Sequence, residues 1–353
     1  MNPEVSSTRS IASLIRRNIL ALSPYSSARN EFTGEASIFL DANENPYNNG
    51  YNRYPDPLQH AVKERIVRIK GVREEQVFLG NGSDEAIDLV YRIFCEPGRS
   101  NVVAPAPTYG MYEVCANIND VAYRSVPLRA DFTLDLPALV AAMDADTRVL
   151  WLCSPNNPTG RSIPAEEVEH LLSVCPGVVV VDEAYIDFSA QSSFVHRLEE
   201  YPRLIVLQTL SKAWGQAAIR CGMAFASAEI ISYFNKVKYP YNVPLPTQQQ
   251  AIRALDNEAE QRRAVSEILA QRGLLEERLK ALPLCHRIFP SDANFLLVQV
   301  ADADALYNYL VQRGIIVRNR NRVTLCAGCL RITVGTPEEN HALIEALKSF
   351  EVE

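Results

Sequence analysis

Five short apolar runs, each followed at once by residues suited to chemistry, constrain this chain more than any other feature. The runs occupy residues 77–79, 102–104, 149–153, 178–181 and 204–207. Behind the first comes Gly80-Asn81-Gly82-Ser83-Asp84, and behind the second Pro105-Ala106-Pro107-Thr108-Tyr109. The third is followed by Ser154-Pro155-Asn156-Asn157-Pro158-Thr159-Gly160, the fourth by Asp182-Glu183-Ala184-Tyr185, and the fifth by Ser211-Lys212. Helical patterns lie between several runs; Ile87, Val90, Tyr91 and Phe94 follow one another at i, i+3, i+4 and i+7. Short continuous apolar strands alternating with helices predict an α/β domain of three layers, a mostly parallel sheet covered on both faces. Ligands of open α/β sheets bind beyond the carboxyl ends of the strands. The five segments are therefore expected to converge on one crevice.

The pattern changes after about Thr247. A long polar helix is predicted over 247–282. Beyond it come a strand over 295–300, a helix over 303–312, strands over 315–318 and 330–334, and a last helix from Pro337. This reads as a smaller α+β domain. The expected division is a large domain over 46–282, including the connecting helix, and a small domain built from 1–45 and 283–353. The first 45 residues read as a helix and a loop returning to the small domain. Within them Ile11, Leu14, Ile15, Ile19 and Leu22 recur at helical spacing, but Arg16 and Arg17 interrupt the apolar face. A short docking helix is expected there, not a signal-peptide core.

Composition excludes several classes. The 353 residues carry a net charge of -7 with 22% charged side chains, which leaves no broad electrostatic footprint for nucleic acid or an anionic membrane. No stretch is long and apolar enough to span a bilayer, and a cytoplasmic protein is expected. The eight cysteines are scattered, so no disulfide framework is expected. Cys326-Ala-Gly-Cys329 is a lone CxxC without a second pair, and the five histidines are isolated. No metal is expected.

Three segments point to chemistry. Gly82-Ser83-Asp84 opens a helix after a strand, where free backbone N–H groups hold anions; taken alone, an ordinary turn would read the same way. A dinucleotide fingerprint would need a third glycine where Glu85 stands. Lys212 sits beside Trp214 and apolar neighbours, and a partly buried amine with a lowered pKa suits condensation with a carbonyl. A solvated surface lysine is the plainer reading of that residue by itself. Asp182 closes a run of four valines, where a carboxylate is costly without a partner. A protonated pyridine nitrogen would serve, as would a structural role capping a loop. Tyr185 brings a phenol to the same crevice.

Together these pieces resemble the aspartate-aminotransferase fold family of pyridoxal-phosphate enzymes. The resemblance rests on Asn157-Pro158-Thr159-Gly160, Asp182-Glu183-Ala184-Tyr185, Ser211-Lys212 with Arg220 at the family's spacing, and Arg331, in the family's order. A narrower resemblance is to the histidinol-phosphate aminotransferases. It is carried by Pro24-Tyr25-Ser26-Ser27-Ala28-Arg29, Leu40-Asp41-Ala42-Asn43-Glu44-Asn45-Pro46, Arg53-Tyr54-Pro55-Asp56 and Cys329-Leu330-Arg331-Ile332-Thr333-Val334-Gly335-Thr336. The chain departs from that pattern at Gln216, where an apolar residue is expected.

The resemblance implies a fold-type-I transferase that takes pyridoxal 5'-phosphate. It implies that Lys212 bonds the cofactor and shuttles a proton, and that Asp182 keeps the pyridine nitrogen protonated. Tyr185 and Asn157 would bond the ring hydroxyl oxygen, and Tyr109 would stack on the ring. Ser211, Arg220 and the amides of Gly82, Ser83 and Asp84 would hold the phosphate. Tyr54 would reach the phosphate from a neighbouring chain, so a homodimer is expected. Tyr25, Arg318 and Arg331 would select substrate; the plainer alternative for Arg318 is a surface charge in the basic run from Arg318 to Arg322. The implied reaction is transamination between L-histidinol phosphate and 2-oxoglutarate, giving imidazole-acetol phosphate and glutamate in histidine biosynthesis. Alternatives on the same fold are an aromatic or broad-specificity aminotransferase, a phospho-amino-acid decarboxylase and, last, a non-catalytic regulator.

Overall fold

The structure, a computed structural model, describes residues 10–24 and 37–350. Seven strands form the larger sheet: β1 (Val77–Asn81), β2 (Asn101–Ala106), β3 (Ala122–Pro127), β4 (Thr147–Cys153), β5 (Val178–Asp182), β6 (Leu204–Thr209) and β7 (Cys221–Ala226). Their order is β1-β7-β6-β5-β4-β2-β3. Pairing is parallel from β3 through β2, β4 and β5 to β6, and only β7 runs antiparallel to both its neighbours, β6 and β1. This is the mixed, mostly parallel α/β sheet that the apolar runs predict.

Strand residues alternate between two cores because successive side chains point to opposite faces. Val179 and Val181 join one apolar cluster with Leu150 and Leu152; Val178 and Val180 join another with Val149 and Trp151. Every residue of β5, β6 and β7 is buried. Runs without a polar face are what a sheet covered on both sides demands.

The smaller sheet has the order β10-β11-β9-β8, all antiparallel, from β8 (Cys285–Ile288), β9 (Phe295–Val300), β10 (Arg318–Asn319) and β11 (Cys329–Thr333). Leu296, Val298, Leu330 and Ile332 pack on one side with Leu306, Leu310, Leu343 and Leu347 of the two helices Ala303–Gln312 and Pro337–Lys348. Phe295, Leu297 and Cys329 face the other way and join a core cluster of the large sheet. That shared cluster fixes the edge of the small sheet against the large domain.

Three expectations change. The helix expected over 247–282 is two, Leu245–Leu255 and Glu258–Lys280. Asn257 stands at the break, and its side-chain amide donates to the Arg253 carbonyl at 2.8 Å, which competes with the helical ladder. The strand expected over 315–318 is only Arg318–Asn319. The N-terminal segment splits into Ile11–Leu14 and Arg17–Ala21 and docks on the large domain, not the small one. Ile11, Leu14, Ile15 and Ile19 join the cluster of Ile93 and Phe94, and the Arg16 N–H bonds the Ile93 carbonyl at 2.9 Å. The Arg16 guanidinium also donates to the Arg92 carbonyl at 3.2 Å, in the last turn of the helix Ser83–Phe94. No helix among the described residues is long and apolar enough to cross a membrane.

Candidate active site

The five chemistry-bearing segments leave the sheet at one edge. There β1, β2, β4, β5 and β6 end and β7, running the other way, begins. They border a cavity of about 910 Å³, closed on the far side by Arg318, Arg320, Arg322 and Arg331 of the small domain. Ser83, Asp84, Tyr109, Asn157, Asp182, Tyr185, Ser211, Lys212 and Arg220 all line it. The convergence expected from the strand ends is present.

Asp182 is the last residue of β5 and is 3% exposed. Burial pushes its carboxyl up to about 6, although the Tyr112 hydroxyl donates to Oδ2 at 2.7 Å and the Ala184 N–H to Oδ1 at 3.1 Å. Lys212, just past β6, opens onto the same cavity. The protein around its ammonium strips away water, which lowers its pKa; Arg331 adds repulsion, while Asp182 opposes the shift. Its Nζ lies 5.6 Å from the centre of the Tyr185 ring. The site thus pairs an acid whose proton is held unusually firmly with an amine whose proton is held unusually loosely.

A second region surrounds the start of the helix Ser83–Phe94. Its first amides have no intrahelical partner, and no side chain caps them. The Gly82 N–H, however, is already bonded to the Arg220 carbonyl at 2.8 Å. This corrects the expectation of three free amides: among the described residues, those of Ser83 and Asp84 remain. Gly82 contributes space instead. A Cβ there would sit 2.5 Å from Arg220 Nη2. Arg220, in a left-handed conformation with φ 54, turns its guanidinium toward Asp84 at 3.5 Å, and Tyr109 donates to the other Asp84 oxygen at 3.0 Å. Ser211 accepts from Thr209 Oγ1 at 2.9 Å, which aims its hydroxyl from the adjoining loop.

The opposite wall is built of arginines. Arg318 and Arg331 are directly paired across β10 and β11, an arrangement that like charges disfavour. Arg331 Nη1 donates to Asn157 Oδ1 at 2.5 Å, and Asn157 Nδ2 donates to the Tyr185 hydroxyl at 3.4 Å. Arg331 Nε and Arg320 Nε are both buried without a partner among the described residues. Burial and the neighbouring Arg331 and Arg318 lower Arg320 to about 10. Four guanidinium groups with so few carboxylates have the chemistry that suits an anion.

The remaining predicted residues fall elsewhere. Tyr54 does not line its own chain's cavity; it stacks on Tyr241 at 4.4 Å, and its N–H donates to Glu44 at 2.7 Å. Tyr25 lies outside the described residues. Gln216 is accommodated by a hydrogen bond from Gln250 at 3.2 Å, so the polar residue meets a polar partner. The sequence reading missed Arg320, Arg322 and Tyr112. The basic run Arg318-Asn319-Arg320-Asn321-Arg322 marked the region, but the strand ends at Asn319 and the Val323 N–H closes a turn on the Arg320 carbonyl at 2.8 Å, so strand alternation does not set which of these side chains face the cavity.

Comparison with known proteins agrees with this geometry. The family model described as aminotransferase class I and II matches residues 29–347. The chain belongs to that family. A histidinol-phosphate aminotransferase of Parabacteroides distasonis is 56% identical over 344 residues, covering 98% of this chain and all of that one. One of Cytophaga hutchinsonii is 51% identical over 345 residues, covering 97% and 99%. Among solved structures, the histidinol-phosphate aminotransferase of Sinorhizobium meliloti in complex with pyridoxal-5'-phosphate superposes with a TM-score of 0.77 at 25% identity, over 84% of this chain and 83% of that one. Within the class I and II aminotransferases, the present enzyme falls in the histidinol-phosphate aminotransferase family.

Proposed function

We propose that this aminotransferase exchanges the amino group of L-histidinol phosphate with 2-oxoglutarate, using pyridoxal 5'-phosphate, in histidine biosynthesis. One observation carries the substrate choice: Arg318 and Arg331 stand side by side on adjacent strands and face the cavity that holds Lys212 and Asp182. An anion between them converts mutual repulsion into two charge-assisted contacts. Histidinol phosphate brings a phosphate and the glutamate pair brings carboxylates, so one receptor suits both partners.

The residues also fit the cofactor. A carboxylate buried as deeply as Asp182, with only neutral donors, is best satisfied by a cationic N–H arriving from the cavity. The Ser83 and Asp84 amides, Ser211 and Arg220 form a cradle for a phosphate at a helix N-terminus. Pyridoxal phosphate, when bound, supplies an electron-withdrawing ring through which the amino group passes. Asp182 would keep its nitrogen protonated, Tyr185 and Asn157 would hydrogen-bond its ring oxygen, and the Tyr109 ring would pack on its face. Lys212, with its lowered pKa, would anchor it and, once released, carry a proton as general base and acid. Tyr54, half exposed and stacked on Tyr241 away from its own cavity, would serve a second copy of the chain across a dimer interface.

A screen of amino donors against the purified enzyme, following the absorbance of the bound cofactor, tests the assignment. Histidinol phosphate should react at least ~10²-fold more efficiently than histidinol, the value of losing a phosphate held by paired arginines. Equal rates would remove the phosphate from the reading, and faster reaction with phenylalanine would favour an aromatic aminotransferase. Release of carbon dioxide in place of glutamate would make it a decarboxylase.

A further inference from the structure

Asp182 is supported by a device outside the cavity wall. The Tyr112 ring is fully buried within the helix Met111–Ile118. It stacks on Trp151 of β4 at 4.6 Å with an interplanar angle of 10°, and Trp151 in turn stacks on Tyr91 at 5.6 Å. The Tyr91 hydroxyl closes the set by donating to the Tyr112 carbonyl at 2.6 Å. Three large rings from two helices and one strand therefore hold one hydroxyl 2.7 Å from Asp182 Oδ2. A buried phenol needs a partner, but a core tyrosine does not need to be fixed from both its ring and its backbone.

We propose that Tyr112 is a positioning residue for Asp182, aiming the carboxylate into the cavity and keeping the shared proton on the cofactor nitrogen. The inference rests on the proposed contact between Asp182 and that nitrogen. Each carboxylate oxygen receives one donor from the protein, Tyr112 to Oδ2 and Ala184 to Oδ1, so neither oxygen can swing away from the cavity without losing a bond. Donation to the ionised form makes the carboxylate a weaker base. A weaker base at Asp182 would leave the proton on the ring nitrogen of a bound cofactor, the form in which that ring would be most electron-withdrawing. The other titratable groups facing Asp182 are Asp84 and Lys212 across the cavity, Cys153 at the end of β4, and Tyr109 and Tyr185. Asp84 and Lys212 act on it with opposite signs. Tyr112 and Ala184 are the groups that bond it directly among the described residues.

The test is Tyr112→Phe, which removes one oxygen and keeps the stack. The full-length holoenzyme is loaded with pyridoxal phosphate labelled with ¹⁵N in the ring, and the nitrogen resonance reports its protonation. The wild type should show a protonated nitrogen, and Tyr112→Phe should move the resonance toward the unprotonated position. In parallel, kcat should fall by about tenfold, the equivalent of one pKa unit. KM for the amino donor should stay within about twofold, because only transition-state stabilisation is lost. An unmoved resonance, with or without loss of turnover, would reduce Tyr112 to a packing residue. If Tyr112→Phe fails to fold, Tyr91→Phe removes only the support for the Tyr112 carbonyl; it should move the resonance in the same direction by less, and no movement overturns the proposal. Asp182→Asn separates the two levels of inference. If it retains normal turnover, the cofactor contact itself is wrong and both readings fall; if it is inactive while Tyr112→Phe is silent, only the role of Tyr112 falls.

Discussion

Asp182 and Glu183 are neighbours in the chain, both buried, and pointed to opposite sides as strand geometry requires. Asp182 faces the cavity. Glu183 faces the core, where the Phe194 N–H donates to it at 2.7 Å and the Gln208 amide at 2.9 Å. Burial pushes Glu183 up to about 7 despite these donors. Its folded pKa lies above the unfolded value, so the native state holds the proton more firmly. The stability it contributes is therefore full below about pH 4.5 and lost as pH rises through 7. Glu183→Gln should flatten this dependence, sparing on the order of 2 kcal/mol between pH 5 and pH 8 in urea unfolding of the cofactor-free protein. An unchanged difference between the two pH values would show that Glu183 does not titrate there. At the proposed site, Lys212→Ala should lower turnover by at least ~10³-fold, as expected for losing both anchor and general base; near-normal turnover would unseat it. Arg331→Ala should weaken both amino donors by roughly 2 kcal/mol each, the value of a charged hydrogen bond. An effect on glutamate alone would separate the two anion subsites. Lys212, Asp182 and Arg331 were legible in the sequence because each is a costly residue beside an apolar run. Tyr112 and Arg320 were not, because the aim of their side chains is set by tertiary packing.

At the scale of elements, the proposed phosphate cradle depends on how closely β7 passes beneath the start of the helix Ser83–Phe94. Gly222 is the point of contact: a Cβ there would stand 2.1 Å from the Ser83 nitrogen and 2.3 Å from the Gly82 carbonyl carbon. Both are backbone atoms that no rotamer change can move. Gly177, just before β5 and so at the opposite edge of the sheet, is as tightly blocked, with Arg148 O at 2.2 Å. Alanine at either position should cost about 1–3 kcal/mol of stability through overpacking. Only Gly222→Ala should also weaken cofactor binding, by tenfold or more on the same scale of energy, as read by titration of the cofactor's absorbance. Equal loss of affinity in both variants would mean that the cradle is not set by this crossing. The strands themselves were legible, since buried parallel strands are apolar along their whole length. The helix break at Asn257 was not, because polar residues on either side continue a helical pattern and only the local Asn257–Arg253 bond stops it.

At the scale of the molecule, the edge that carries Asp182 and Lys212 belongs to one sheet and the wall of arginines to the other. Phe295, Leu297 and Cys329 hold the two together by packing into the large domain's core while Arg331, between them in the small sheet, lines the cavity. The change of pattern after about Thr247 anticipated a second sheet, but not that the N-terminal helices would pack with Ile93 and Phe94 against the first. Apolar periodicity reveals that a face is buried, not against what. The same limit applies to Tyr54, whose place depends on a second chain. It is half exposed and stacked on Tyr241, apart from its own cavity. If it completes the phosphate cradle of a partner, each site draws Lys212 from one chain and Tyr54 from the other. Two separately impaired variants, Lys212→Ala and Tyr54→Ala, should then complement when unfolded together and refolded in equal amounts. Each mixed dimer would contain one site with both lesions and one with neither. Random assortment into two-fold dimers should restore up to about a quarter of wild-type turnover at limiting cofactor. If Tyr54 served its own chain, every site in the mixture would carry one lesion, and activity would stay at the average of the two variants.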